Sequence, residues 1–356
     1  AEGFEIADPA RPREAAGLAA LIVSPGIPDL FPEPHPAMVA AEQAGVPIDN
    51  DVGLWFRALA AHEPEGDGPD PKVVAVTGSN GKSTTTALLA HALAATGRRV
   101  AMGGNIGRAV FDLPAPEAGD VLVIELSSYQ IERARTLAPD IAVFLNLSPD
   151  HLDRHGGIGG YFAAKRRLFE LGAPERAVVG LDDRFGRHLA NLLDCPVVPV
   201  ATTRRLKDRA HSVFMAGRHH LAEWKAGRAL GASPKALAAA FARFPGLAHR
   251  MERLGHAGGV LCVNDSKATN AEAAGHALAA FERVHWIAGG VAKDGGISAL
   301  APYFERIAGA YLIGEAAAGF AGTLAAAGVA HRVSGDLETA VAEARAAAAP
   351  GEVILL

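Results

Sequence analysis

Nothing in the 356 residues approaches the roughly 20 consecutive apolar positions that a membrane helix needs, which excludes a membrane-spanning protein. Positive charge is also short. Lys and Arg number 34 against 39 Asp and Glu, a net charge of -5, so there is no electrostatic footprint for a nucleic acid. The two cysteines, Cys195 and Cys262, lie far apart and outside any C-x-x-C spacing. That removes a disulfide framework and a thiolate zinc site, and it fits a reducing cytoplasm. No internal repeat is visible, and the alanine-rich stretch 340–349 carries Glu and Arg at helical spacing, so it reads as a surface helix. What the chain has in excess is glycine, 40 residues, in short clusters that follow predicted strands. Phosphate-handling α/β proteins place glycine in this way.

The length suggests two or three domains at about 150 residues each. From residue 73 onward, β-branched runs alternate with Ala/Leu-rich helical stretches, the pattern of an α/β protein with a mostly parallel sheet. Candidate strands are 73–76, 121–125, 141–147, 260–263, 285–288, 311–313 and 353–356, several of them apolar on both faces. The stretch HEPEGDGPDP at 62–71 has no apolar periodicity and reads as an exposed linker; Phe244-Pro245-Gly246 is a second breaker. Three regions result, 1–61, 71–246 and 247–356. The chain opens without methionine and Leu356 lies inside an apolar run, so both ends are expected to be incomplete.

Strand 73–76 runs into Thr77-Gly78-Ser79-Asn80-Gly81-Lys82-Ser83-Thr84 and then a helix with Leu88, Leu89 and Leu93 on its apolar face. Glycines let the backbone turn tightly, amides and the helix N-terminus can cradle phosphate oxygens, Lys82 adds a point charge, and Ser83 or Thr84 can hold magnesium. Val76 stands where the usual pattern has its first glycine, so this is a shorter variant of the phosphate loop. The bland alternative is a glycine turn with an incidental lysine.

Glu125, at the end of the next strand, could bind magnesium directly or through water, or merely cap the following helix. Strand 141–147 feeds Ser148-Pro149-Asp150-His151-Leu152-Asp153-Arg154-His155, a loop crowded with titratable groups, in which His151 could be a ligand or a solvated side chain. Lys165, by its chemistry alone, belongs on a solvated helix face, because a bare ammonium repels magnesium. The segment 264–270, NDSKATN, lies between a strand and a helix and reads as an N-cap with Thr269 or Asn270 as the cap. Lys293, in a glycine loop, reads as an exposed turn residue.

Together these segments resemble the Mur ligase family, and within it the branch that adds D-glutamate. The resemblance rests on VSPGIP (23–28), TGSNGKST (77–84), GGNIG (103–107), ELSSYQ (125–130), NLSPDHLDRH (146–155), YFAAK (161–165), HRME (249–252), NDSKATN (264–270) and IAGGVAKDGG (287–296). It implies three domains: a truncated Rossmann-like N-terminal domain for the UDP substrate, a central P-loop ATPase domain and a C-terminal Rossmann-like domain for the amino acid. It implies a cytoplasmic, monomeric enzyme of peptidoglycan synthesis that joins D-glutamate to UDP-N-acetylmuramoyl-L-alanine through an acyl phosphate, with ATP and two magnesium sites. By resemblance, Gly78, Ser79, Asn80, Gly81, Lys82, Ser83 and Thr84 hold ATP, Ser83 and Glu125 one magnesium, and His151 and a carbamylated Lys165 the second. Carbamylation would turn a repelling ammonium into an oxygen ligand, which reverses the bland reading of Lys165. Asn105 and Ser127 would line the muramoyl substrate, Arg250 and Asp265 would reach the nucleotide, and Lys267, Thr269 and Lys293 would bind the D-glutamate carboxylates.

The chain departs from the family at three places. The opening strand and glycine turn that help hold uridine diphosphate are missing, as is the serine-and-phenylalanine loop that would follow Leu356. The adenine-contacting G-x-H-N-x-x-N segment is matched poorly by residues 217–223, where a hairpin-like stretch passes abruptly into a helical one at Trp224, as though a segment were omitted. Two other readings compete: a ligase of the folylpolyglutamate synthetase kind, and a P-loop nucleotide switch that makes no acyl phosphate. A switch has no need of the cationic set Lys267 and Lys293.

Overall fold

The computed structural model of the chain describes residues 8–11, 15–28, 31–201, 220–293 and 295–356. By their contacts these fall into two compact units, the second beginning at Pro245. Residues 217–219 of the poorly matched adenine segment lie outside the described residues.

The first unit opens with a small parallel pair, β1 (Leu21–Ile22) and β2 (Ile48–Asp49). Two helices accompany it. Pro36–Gln43 begins with proline, whose missing N–H costs nothing in a first turn, and Asp51–Ala60 is capped by Asn50, whose side chain accepts from the Gly53 N–H.

The main sheet has six strands, all paired in parallel: β3 (Lys72–Thr77), β4 (Val100–Gly104), β5 (Val121–Glu125), β6 (Ile141–Phe144), β7 (Arg176–Gly180) and β8 (Val197–Val200), in the order β4-β5-β3-β6-β7-β8. Alternate residues serve opposite cores. Val73, Ala75, Leu122, Ile124, Ala142 and Phe144 pack with Phe56, Ile131, Tyr161 and Leu168 on one face. Val74, Val76, Val121, Val123, Ile141 and Val143 pack with Leu89, Leu93, Ala226 and Leu237 on the other. A strand buried on both faces has no polar side to show, which is why these runs are continuously apolar in the sequence. The strand expected over 141–147 stops at Phe144. Leu145 and Leu147 are buried without extending it, so apolarity overran the ladder.

The hairpin-like stretch expected before Trp224 lies, up to residue 219, outside the described residues; from there the helix His220–Ala229 packs with Pro234–Phe241 on the helix Lys82–Ala94. Glu223 on that first helix is fully buried in this layer, and both its carboxyl oxygens lack a hydrogen-bond partner, as do the hydroxyls of Thr85 and Thr86.

The second unit holds β9 (Glu252–Ala257), β10 (Val260–Asn264), β11 (Val284–Gly289), β12 (Ile307–Ile313), β13 (His331–Gly335) and β14 (Val353–Leu355), in the order β13-β12-β11-β14-β10-β9. All neighbours pair in parallel except the edge strand β9, which runs antiparallel to β10. The alanine-rich tail forms the helix Leu337–Ala347; its buried Ala340 and Ala344 pack with Ile287, Tyr311 and Ile354.

Candidate active site

In an open parallel sheet, ligands bind beyond the carboxyl ends of the strands where the order reverses. Here β3 lies between β5 and β6, so three loops leave neighbouring strands side by side: the phosphate loop after Thr77, the ELSSYQ segment at Glu125, and the 145–155 loop after Phe144.

The phosphate loop is shaped by two glycines and by the loop next to it. At Gly78 a Cβ would lie 3.0 Å from Leu145 Cβ and 3.3 Å from the Asn146 backbone. Gly81 takes φ +84 as the N-cap residue of the helix Lys82–Ala94 and brings no side chain to cap it. No capping side chain therefore claims the first-turn amides, the condition for anion binding at a helix N-terminus. Asn146, which sequence reasoning passed over, braces the loop. Its Oδ1 accepts from the Asn80 N–H at 2.9 Å, its Nδ2 donates to the Asn80 carbonyl at 3.1 Å, and its own carbonyl accepts from the Ser79 N–H at 3.0 Å. Ser79 Oγ donates to the Ser148 carbonyl at 3.1 Å and accepts from the Ser148 N–H at 3.0 Å, so that side chain ties the two loops together. Lys82 Nζ donates to the Ser79 carbonyl at 2.8 Å, holding the ammonium over the loop.

Glu125 does not cap the helix that follows it. Ser127 does, in a reciprocal arrangement: its Oγ accepts from the Gln130 N–H, and Gln130 Oε1 accepts from the Ser127 N–H at 3.0 Å. Glu125 is therefore available at the strand end, 2% exposed; Oε1 accepts from Asn105 Nδ2 at 3.1 Å and Oε2 is buried with no partner. A buried carboxylate oxygen without a donor calls for a cation. Glu125 and the Ser83 hydroxyl are oxygen donors of the kind that could hold magnesium, which fills much of its shell with water and phosphate oxygens. Among the described residues, no three His, Cys, Asp or Glu side chains gather into a metal cage. Asn105, read as a substrate contact, also supports Glu125 through its main chain, its N–H donating to the Glu125 carbonyl at 2.9 Å.

Lys165 is not on a solvated face. It lies on the inner side of the helix Ile158–Glu170, four residues after Tyr161, at 1% exposure. Its Nζ donates to the Gly78 carbonyl at 2.9 Å and sits 4.6 Å from the centroid of the Tyr161 ring. Burial, reinforced by the positive charge of Lys82, drives its pKa well below the usual lysine value against the pull of Asp150 and Glu125. Burial likewise raises the Tyr161 phenol.

His151 takes φ +52, and its Nδ1 shares a 2.9 Å hydrogen bond with the Tyr129 hydroxyl. Its Nε2 is 3.5 Å from Asp150 Oδ2. Tyr129, the aromatic inside ELSSYQ, carries no sequence signal of its own that would single it out. Tyr161 was open to discovery, since the i, i+4 spacing puts it on the face of Lys165.

In the second unit, the segments HRME and NDSK are tied together. Asp265 Oδ1 accepts from the Met251 N–H at 2.9 Å, Asn264 Nδ2 pairs with His249 Nδ1 at 2.8 Å, and the Lys267 N–H donates to the His249 carbonyl at 3.1 Å. His249 and Met251 both adopt positive φ, at +61 and +49, and so flank Arg250 with a strained turn. Desolvation raises the Asp265 pKa to about 6, against the Met251 N–H and Arg250. The cap of the helix Ala271–Ala279 is Asn270, whose side chain accepts from the Ala273 N–H, so Thr269 is left exposed beside Lys267. Lys293, also exposed, follows β11 and accepts from the Gly296 N–H through its carbonyl. Gly78 to Thr84, Asn105, Glu125, Ser127, His151 and Lys165 thus belong to one unit, and Arg250, Asp265, Lys267, Thr269 and Lys293 to the other.

Comparison with known proteins follows the same division. Residues 76–226 match the Mur ligase middle domain and residues 249–356 the glutamate ligase domain of Mur ligases. The chain is 48% identical over 390 aligned positions to a UDP-N-acetylmuramoylalanine–D-glutamate ligase of Cereibacter sphaeroides, covering 100% of this chain and 83% of that protein. It is 49% identical over 392 positions to the enzyme of the same name from Ruegeria pomeroyi, with the same coverage. These alignments are longer than the 356-residue chain, so the relatives carry segments that it lacks. Among solved structures, the UDP-N-acetylmuramate–alanine ligase of Thermotoga maritima shares the fold at a TM-score of 0.63 and 18% identity, over 90% of this chain and 78% of that one. MurF from Acinetobacter baumannii does so at 0.63 and 18%, over 85% and 75%.

Proposed function

The chain belongs to the Mur ligase family, and from that premise we infer that it is an ATP-dependent ligase that joins D-glutamate to UDP-N-acetylmuramoyl-L-alanine in peptidoglycan precursor synthesis. The reaction must bring together two anions, the γ-phosphate of ATP and the substrate carboxylate, so cations and donors aimed at that meeting point do most of the work. A carboxylate oxygen attacks the γ-phosphorus and ADP leaves; the neutral amine of D-glutamate then attacks the acyl carbon, phosphate departs with the oxygen that bridged them, and the nitrogen gives up a proton to water.

Gly78 to Thr84 cradle the phosphates through main-chain amides, with Lys82 as the charge above them. Ser83 and Glu125 would hold one magnesium ion, and His151 and Lys165 the second; the ions would supply positive charge to offset that of the phosphates. Lys165 serves as its carbamate. The neutral amine adds to the carbon of CO2 through its lone pair and releases a proton to water. Asn105 and Ser127 face the muramoyl substrate, Arg250 and Asp265 the nucleotide, and Lys267, Thr269 and Lys293 the two carboxylates of D-glutamate, which need paired cations once desolvated. The enzyme acts as a monomer in the cytoplasm on small molecules, and no described helix is long and apolar enough to cross a membrane.

The observation that carries this reading is Lys165: a lysine at 1% exposure, held on the Gly78 carbonyl of the phosphate loop, whose environment favours the uncharged amine. Such a group is unsuited to a plain ion pair and suited to accept CO2. Phosphate release should require ATP, the muramoyl-alanine nucleotide and D-glutamate together, tested by omitting each in turn. Turnover that continues unchanged without D-glutamate would contradict the assignment.

A further inference from the structure

We propose that Tyr129 is a positioning residue that fixes the His151 imidazole through its Nδ1 and thereby aims Nε2 at the reaction site, and that Arg154 holds Tyr129 in place from the 23–28 segment. The proposal rests on His151 serving the second magnesium site but concerns residues to which that role assigns nothing.

The geometry is specific. His151 sits in left-handed backbone at φ +52, a conformation that a non-glycine residue adopts only when its surroundings hold it, and its own N–H donates to Asp150 Oδ1 at 3.0 Å. The Tyr129 hydroxyl meets Nδ1 at 2.9 Å, with the two rings 5.1 Å apart. A phenol serves both forms of the imidazole. It accepts from Nδ1–H when Nε2 offers its lone pair to a cation, and it donates to Nδ1 when Nε2–H faces Asp150. A phenylalanine ring would fill the same volume and do neither. Partners of this kind set the orientation and basicity of a ligating imidazole.

Tyr129 is itself clamped. The Arg154 guanidinium lies 5.1 Å from the Tyr129 ring centroid, and its Nη2 donates to the Ile27 carbonyl at 3.2 Å. Arg154 is 7% exposed and paired with Glu132, its Nη1 3.0 Å from Oε2. Glu132 also pairs with His155 at 3.2 Å, and the other nitrogen of His155 meets Ser128 Oγ at 2.9 Å. A continuous set of contacts therefore runs from Ile27 in the VSPGIP segment, through Arg154 and the Tyr129 ring, to the imidazole of His151.

The test uses the full chain carrying Tyr129→Phe. In the protein without nucleotide or metal, the long-range proton–nitrogen spectrum of the His151 ring, assigned by its loss in His151→Ala, should show the Nδ1 signal moved by the mutation. Mn2+ binding in the presence of a non-hydrolysable ATP analogue, followed by electron paramagnetic resonance, should weaken by about 10–100-fold. In the His151→Ala background, Tyr129→Phe should add nothing to the loss of ligation rate. An unmoved Nδ1 signal with Mn2+ affinity within about twofold of the parent would overturn the proposal. So would an equal loss of rate with and without His151, or a lowered melting temperature as the sole change, since each assigns Tyr129 a structural part alone. Arg154→Lys, which keeps the charge but loses the planar stack, should reproduce the Nδ1 shift in smaller measure.

Discussion

Lys165→Ala is expected to reduce ligation by at least about 10²–10³-fold, the size of loss seen when one preorganised group is removed from a site where charge develops. The expectation follows from position. Lys165 is a fully buried lysine whose nitrogen contacts the phosphate loop, through the Gly78 carbonyl at 2.9 Å, and the alanine leaves that carbonyl without its donor. The second half of the prediction separates a carbamate from a bare amine. A small carboxylate such as formate, added to the Lys165→Ala protein, should restore part of the rate, because it can enter the space and replace the lost oxygens. The rate is read as D-glutamate-dependent phosphate release. Full activity in the alanine protein would remove Lys165 from the reaction, and a loss that no carboxylate repairs would argue for the amine itself.

Glu223→Gln is expected to stabilise the protein in mildly alkaline solution. The carboxyl lies fully inside the layer between the helices Lys82–Ala94 and His220–Ala229, and burial raises its pKa from 4.5 to about 8. Thr85 lies beside it and pulls slightly the other way, but neither side chain completes a hydrogen bond of good geometry, so desolvation dominates. The sign follows from proton counting. Between these two pKa values the folded chain holds a proton that the unfolded chain has released, so folding stability falls as pH rises through the window and the whole loss is in place above the folded value. The isosteric amide carries no charge at any pH and escapes that loss. Below pH 4.5 the two proteins should melt alike, and near pH 9 the Gln protein should be the more stable by on the order of 4 kcal/mol. In a unit of this size that amounts to a rise on the order of 10 °C in melting temperature. Melting curves at pH 4, 6 and 9 decide the matter: a difference independent of pH would show that Glu223 does not titrate in this range.

Much of this architecture could be read in the chain because its strands are buried on both faces. The runs at 73–76 and 121–125 have one physical explanation, and the glycines are accounted for once the loop is seen: Gly78 lies against Leu145 and Asn146, and Gly81 takes a positive φ. The boundaries were less legible. Leu145 and Leu147 are as apolar as the strand before them but leave the ladder, and hydrophobicity alone cannot tell a core loop from a core strand. The helix that begins at His220 has no clear apolar period and is held by packing on Lys82–Ala94, a tertiary contact that no local pattern announces.

Within the site, the misplaced residue is the informative one. On its chemistry Lys165 reads as solvent-facing, since lysine is almost never buried without a partner. The structure puts it inside because its helix presents Tyr161, Phe162, Ala164, Leu168 and Phe169 to the core and Lys165 shares their face. The helical period was in the sequence; what overruled it was a sound rule about charge, which this buried lysine breaks. Glu125 shows the converse. Of its two readings the helix cap is ruled out, because Ser127 takes that place, and Glu125 keeps a carboxylate oxygen buried without a hydrogen-bond partner. Asn146 and Tyr129 could not have been chosen from the chain alone. Their roles exist only because the 145–155 loop lies against the phosphate loop on one side and the helix Ser128–Arg133 on the other.

The most direct measurement follows oxygen. With the alanyl carboxylate of the muramoyl substrate labelled with 18O, one round of ligation should deliver one labelled oxygen to the inorganic phosphate and leave the other in the new amide. Phosphate free of label, released in step with product, would mean that no bond ever formed between the substrate carboxylate and the γ-phosphorus, and the acyl-phosphate mechanism would fail at its centre.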